Sequence, residues 1–302
     1  MAKKTESFSI GVMASDHVAV GVVEDHKVRG PVHLIQDLPT IPPDSLAPVL
    51  HEKIEVACRE AGVEPAAISA IGFGFPGIVR DGVVEDSPNI KQAKGLNLAQ
   101  AMAATFTGTN SKVPVLVLND ADAMAAGVAA TRDALEKLVR VWTLGNGIGF
   151  GRYPRLEGAW ECGHMVVTLD PKEQYCGCGG LGHLEGIMGY RAMRMRFLDM
   201  EPEEVFENAR QGDAKCQAFT KLWHRALAAA TANLVHQETP GKFYITGMTS
   251  VYIEIPLLSQ YLHEMVKMTP LQGSVFEVIP TSDEIAVIGA AVSARIRTPP
   301  VV

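Results

Sequence analysis

Long apolar runs are missing from this chain: no stretch approaches the roughly 18 residues that a membrane-spanning helix needs. Dense Lys/Arg runs are missing too. Lys and Arg together number 27 against 34 Asp and Glu, a formal net charge of -7. An acidic surface repels phosphate backbones, which argues against nucleic acid as a partner. The opening segment, residues 1–6, lacks the long apolar core of a secretory leader. Cysteines number only 5, an odd count with two in a Cys-x-Cys pair. That usage suits a reducing compartment and a metal site better than a disulfide framework, and a cytoplasmic protein is expected. Low-complexity tracts and tandem repeats are absent, and so are a Gly-Lys-Ser/Thr phosphate loop and a Rossmann glycine fingerprint.

What is present is an ordinary globular composition, 47% hydrophobic and 20% charged over 302 residues. That length exceeds what one core usually holds, so two lobes are expected, 1–118 and 119–302, with the last helix free to pack back on the first. Residues 7–23 read as two short strands about a turn at Ser15-Asp16, and 46–61 as an amphipathic helix stopped by Gly62. Residues 68–75 are a buried strand ending in the sharp turn Gly74-Phe75-Pro76-Gly77. A strand over 113–118 delivers Asn119-Asp120 to the start of a helix rich in small residues, 121–130. The second half reads as a strand (138–144), a long helix (215–236), a strand (242–245), a helix (249–266), a strand (275–279) and a helix (283–295). Strands alternating with helices imply α/β layers with largely buried sheets.

Four groups of residues carry chemistry. His164, Cys176, Cys178 and His183 supply four thiol or imidazole ligands among glycines, the number that a closed tetrahedral zinc site takes. Cys162, next to Glu161, reads as a small buried residue outside that set. Glu161 and Glu185 bracket the ligands and indicate a polar pocket braced by the metal. Asp120 stands at a strand end and a helix start, where its charged form is favoured and can take a proton from a hydroxyl; the same position equally suits a helix N-cap. The alternating run Gly145-Asn146-Gly147-Ile148-Gly149-Phe150-Gly151 suits either a phosphate-binding turn or a plain hairpin. Gly247 lies in a strand-to-helix turn that suits either a nucleotide or a simple connection.

Together, Gly74-Phe75-Pro76-Gly77, Asn119-Asp120-Ala121-Asp122-Ala123, Leu144-Gly145-Asn146-Gly147-Ile148-Gly149, Glu161-Cys162-Gly163-His164, the Cys-x-Cys-Gly-x-x-Gly segment and Ile288-Gly289-Ala290-Ala291 resemble the ROK family of sugar kinases and sugar-responsive repressors. The resemblance implies a two-lobed actin-like ATPase (ribonuclease H-like) α/β fold with a structural Zn²⁺. It implies an ATP-dependent, glucokinase-like kinase acting on the 6-hydroxyl of a hexose or N-acetylhexosamine, with Mg²⁺ and ATP as cofactor and co-substrate. Asp120 matches the general base; Asn119, Glu161, His164, Glu185 and, more loosely, Asn89 match residues holding the sugar hydroxyls. Gly145, Asn146, Gly147 and Gly149 match the second phosphate hairpin, and Gly247 the turn near adenosine. Homodimers or homotetramers are common in the family.

Three positions depart from the family pattern. His183 stands where a third cysteine is usual, and Asn146 where a threonine is usual. Most consequentially, Met13-Ala14-Ser15-Asp16-His17 replaces the Asp-x-Gly-Gly-Thr of the first phosphate hairpin, whose Asp organises Mg²⁺. A sugar-binding sensor that has lost phosphoryl transfer is therefore the alternative reading. A repressor with an N-terminal helix-turn-helix is not expected, because the first strand begins near Ser7.

Overall fold

The structure, a computed structural model, describes residues 7–15, 17–36, 38–87, 90–106, 113–156, 158 and 161–295. The chain opens with β1 (Phe8–Ala14), β2 (Val18–Glu24) and β3 (Lys27–Ile35), then α1 (Pro43–Ala61) and β4 (Ile68–Phe75). A small hairpin follows, β5 (Ile78–Arg80) and β6 (Val83–Asp86), then α2 (Leu98–Thr105), β7 (Val115–Asn119) and α3 (Asp120–Thr131). Next come β8 (Val139–Leu144), β9 (Ile148–Tyr153), α4 (Leu184–Met188), α5 (Tyr190–Arg196), α6 (Pro202–Arg210) and α7 (Ala214–Gln237). The chain closes with β10 (Lys242–Thr246), α8 (Ile255–Met265), β11 (Val275–Val278) and α9 (Asp283–Arg295). Among the described residues no helix is long and apolar enough to cross a membrane.

Two compact units result. The first holds residues 1–139, 151–159 and 282–302; the second holds 140–150 and 160–281. This division differs from the expected boundary at 119, because α3 packs on α9 and on β4 within the first unit and carries the chain onward to 139.

The first unit is built on a five-stranded sheet, order β3-β2-β1-β4-β7, in which β1, β4 and β7 run parallel. β1 is buried along its whole length, with α9 against it and α1 against β2. α9 approaches so closely that side chains are excluded: a Cβ on Gly11 would collide with the Val287 carbonyl, and one on Gly72 with the Ala290 carbonyl. This explains the Ala/Gly content of α9 and its faint amphipathic signal. α1 ends as the sequence implies, with Gly62 at φ 66 and Val63 N–H donating to the Cys58 carbonyl at 2.9 Å. The β2–β3 turn holds Asp25 and His26 at φ 44 and 64, a left-handed pair made without the usual Asn-Gly. β3 itself passes unnoticed in the sequence because it lies at the sheet edge and alternates irregularly between polar and apolar residues.

The second unit carries a four-stranded sheet, order β11-β10-β8-β9, with β8, β10 and β11 parallel. Its core gathers Trp142, Trp223, Phe243, Leu227 and Phe206 around α7. The helix expected over 249–266 is instead a single 3-10 turn, Ser250–Tyr252, followed by α8. Pro256 sits in the first turn of α8, where its missing N–H costs nothing, and so marks the true start.

Candidate active site

In the first unit the carboxyl ends of the parallel strands lie side by side. Met13 pairs with Gly74 across β1 and β4, and Phe75 with Asn119 across β4 and β7. α/β proteins build their sites at this edge. Asn119 is the residue that caps α3: its side-chain oxygen accepts from Ala121 N–H at 2.9 Å, and its Nδ2 donates to the Gly77 carbonyl at 3.0 Å. Gly77 can take this position because its φ is 101 and a Cβ would strike the Asp86 carbonyl. Asp120 is therefore not the N-cap. It occupies the first helical position, half-buried, with Oδ1 accepting from the same Ala121 N–H at 3.0 Å.

Two arginines that the sequence reading passed over lie against this helix start. β9 crosses the first turn of α3 at Gly151, where a Cβ would collide with the Ala121 carbonyl. Arg152 N–H then donates to Asp122 Oδ1 at 3.1 Å, and Arg155 Nε stands 3.6 Å from Asp122 Oδ2. Asp122 is only 7% exposed. The one sequence signal was the pair of arginines in Arg152-Tyr153-Pro154-Arg155, directly after the glycine run.

The first hairpin is filled differently from the family pattern. Met13 is 5% exposed and packs in an apolar cluster with Leu118, Ala123 and Ile288; a Cβ on Gly74 would lie 2.7 Å from its Sδ. His17 Nε2 sits 3.0 Å from Asp283 Oδ1 at the start of α9. A hard cation such as Mg²⁺ takes oxygen ligands, and the buried thioether at position 13 offers none. The residues at this position do not fit a magnesium site. Asp16 and Asn89 lie outside the described residues.

In the second unit the two glycine turns also share an edge, since Thr143 pairs with Thr246 at the ends of β8 and β10. The Gly145-Asn146-Gly147 turn is closed by Gly145 N–H donating to the Gly147 carbonyl at 3.0 Å. Gly149 follows in β9. Gly247, at φ 105, folds onto Leu144, and its N–H donates to Thr281 Oγ1 at 3.2 Å. Glu185 reaches the first turn directly: its Oε2 accepts from Ile148 N–H at 2.9 Å and lies against Gly147, where a Cβ would clash with it.

Glu161 is exposed and precedes the 3-10 turn Cys162–His164, with His164 N–H donating to its carbonyl at 2.9 Å. That turn presents His164 to a compact cluster in which one ligand atom each from His164, Cys176, Cys178 and His183 lies within 4.8 Å of the others. The two Nδ1 atoms are 3.3 Å apart and the two Sγ atoms 3.4 Å; two of the four mixed edges are 3.4 Å (Cys176 to His164) and 3.2 Å (Cys178 to His183). A zinc ion with nitrogen at about 2.0–2.1 Å and sulfur at about 2.3 Å has tetrahedral edges of about 3.3–3.8 Å. The donor set fits zinc, and the four edges at 3.2–3.4 Å lie at or just inside the short end of that range. Burial first, with the neighbouring Cys178 and the Glu185 carboxylate adding to it, pushes the Cys176 thiol up to about 12, and burial followed by the neighbouring His164 lowers His183. A cation reverses the thiol effect, since thiolate and neutral imidazole are the forms that bind metal. Cys162 belongs to the hydrophobic core and not to the cluster.

With this geometry established, comparison decides the family: the ROK family profile matches residues 13–296. The chain belongs to the ROK family. This ROK protein is 29% identical over 255 residues to a glucokinase of Pyrobaculum calidifontis, covering 79% of this chain and 82% of that one. It is 24% identical over 284 residues to a xylose repressor of Caldicellulosiruptor bescii, covering 82% of this chain and 67% of the repressor. Among solved structures, a ROK hexokinase from Thermus thermophilus superposes with a TM-score of 0.79 at 25% identity, covering 96% of this chain and 98% of the hexokinase. The two mixed α/β sheets agree with the two-lobed actin-like architecture of these relatives.

Proposed function

We propose that this ROK protein is an ATP-dependent hexose kinase of the glucokinase type, acting on the 6-hydroxyl of a hexose or N-acetylhexosamine. The observation that supports this reading is the place of Asp120: a half-buried carboxylate in the first turn of α3, directly after Asn119 at the carboxyl edge of the parallel strands. In the reaction, the sugar 6-hydroxyl oxygen bonds to the γ-phosphorus of ATP, the bond to the β,γ-bridging oxygen breaks, and ADP leaves. Asp120 accepts the hydroxyl proton as the oxygen attacks. Glu161, His164 and Glu185, with Asn119 and Asn89, are assigned to the sugar hydroxyls; Gly145, Asn146, Gly147 and Gly149 to the donor phosphates; and Gly247 to the turn near adenosine. His164, Cys176, Cys178 and His183 are assigned to one structural Zn²⁺, which would fix His164 and the start of α4. The protein's part is alignment more than covalent chemistry.

A second reading is favoured by one specific observation, the burial of Met13 and the His17–Asp283 contact where the first phosphate hairpin should bind. On that reading the chain binds sugar without turnover. ADP release from Mg·ATP by zinc-loaded protein, measured across glucose, mannose, fructose, N-acetylglucosamine and N-acetylmannosamine, separates the two. Turnover with one sugar, falling about 10²–10⁴-fold in Asp120→Asn, supports the kinase. Silence across the panel from protein that still binds one of these sugars selects the sensor.

A further inference from the structure

The thiol–imidazole cluster and the glycine turn are joined by one side chain. His183 is at once a cluster ligand and the N-cap residue of α4, so a metal at the cluster would pin the start of that helix. Glu185 lies two residues further on. Its Oε2 accepts from Ile148 N–H at 2.9 Å, at the first residue of β9. Its Oε1 lies 3.7 Å from Cys176 Sγ, a contact that a metal-bound thiolate cannot make as a donor, so the link to the cluster runs through the start of α4. The backbone reinforces the path: a Cβ on Gly186 would lie 2.9 Å from Cys176 N, and Tyr190 N–H donates to the Gly145 carbonyl at 3.0 Å. The Gly145-to-Ile148 turn is thus held from the α4–α5 junction, and the chain there is held from the cluster.

We propose that Glu185 is a positioning residue that fastens the glycine hairpin to the metal cluster, so that metal occupancy sets the order of the hairpin. A short turn of glycines has little side-chain packing of its own and gains rigidity from whatever bonds its amides. The carboxylate on Ile148 N–H supplies that bond and removes this amide from those open to a phosphate. That the ordered hairpin then receives a donor phosphate rests on the kinase reading; the coupling itself does not.

The test is hydrogen exchange at the Ile148 amide in the full chain, with far-UV circular dichroism confirming the fold of each variant. Four samples are compared: zinc-loaded wild type, chelator-stripped wild type with metal loss confirmed by elemental analysis, Glu185→Gln and Glu185→Leu. Glutamine keeps an acceptor oxygen and leucine does not. Exchange at Ile148 should be about tenfold or more faster in Glu185→Leu and in the stripped protein, near wild type in Glu185→Gln, and unchanged at Ile10 in β1 throughout. Unchanged protection of Ile148 in Glu185→Leu, or after confirmed zinc loss, overturns the proposal, as does purified protein that takes up no zinc. Loss of sugar affinity in both variants with Ile148 still protected also overturns it, assigning Glu185 to the sugar alone. If the kinase reading fails instead, ADP release is silent while Ile148 still responds.

Discussion

Asn119 and Asp120 both place a side-chain oxygen on the Ala121 amide, and they differ in that Asn119 is the N-cap and also donates to the Gly77 carbonyl. Both residue types favour a helix start, so the sequence leaves Asp120 open to two readings; the N-cap is Asn119, and Asp120 occupies the first helical position, accepting from the same Ala121 N–H. Met13 is legible in a different way. Its identity alone ruled out a carboxylate ligand, but its burial among Leu118, Ala123 and Ile288 required the sheet and α9 to be in place. Substituting Met13→Asp should therefore cost at least about 3 kcal/mol of stability, measured by denaturant unfolding, because it places an unpaired carboxyl in an apolar cluster. An unchanged midpoint would mean that residue 13 faces water. The metal ligands make a second prediction at this scale. Elemental analysis should find about one zinc per chain in wild type, and Cys176→Ala should lose it together with several degrees of melting temperature.

Among the elements, α7 and α8 are joined by a buried histidine whose role could not be read from the chain. His224 Nδ1 donates to the Thr220 carbonyl at 2.8 Å, and Nε2 accepts from Glu254 N–H at 2.9 Å, the residue before α8. That pairing works only for neutral imidazole, and burial, the largest cause, lowers its proton affinity below the ordinary 6.5. The unfolded chain then binds a proton near pH 6.5 that the folded chain refuses. Stability from His224 is full above that pH and is lost as pH falls toward the folded value, by up to about 1.4 kcal/mol per pH unit. Unfolding free energies between pH 7 and 5 should show this slope in wild type and a shallower one in His224→Gln; equal slopes would remove the assignment. Helix α1 and strand β4 were legible because each carries its own period and stop signal. β3 and the short α4–α6 helices were not, because their residues take shape from neighbours distant in sequence.

For the molecule as a whole, the chain passes between its two units more than once, so no single cut separates them. α9, contributed by the last described residues, packs against β1, β4 and α3 of the first unit through the glycine contacts at Gly11, Gly72 and Gly289. A chain ending at Thr281 should therefore lose the protection of β1 and β4 amides to hydrogen exchange, while β10, in the other unit, keeps most of its own. Equal protection in both units would show that α9 is dispensable. The family, the α/β class, the four metal-type ligands and the altered first hairpin were determined by the sequence itself, because each depends on residue chemistry at short spacing. Tertiary structure decided the Asn119–Gly77 hydrogen bond, how Met13 is buried, the Asp122–Arg155 ion pair and the reach of Glu185 to Ile148. Those contacts join positions far apart in the chain, and only packing brings such groups within hydrogen-bonding or van der Waals distance.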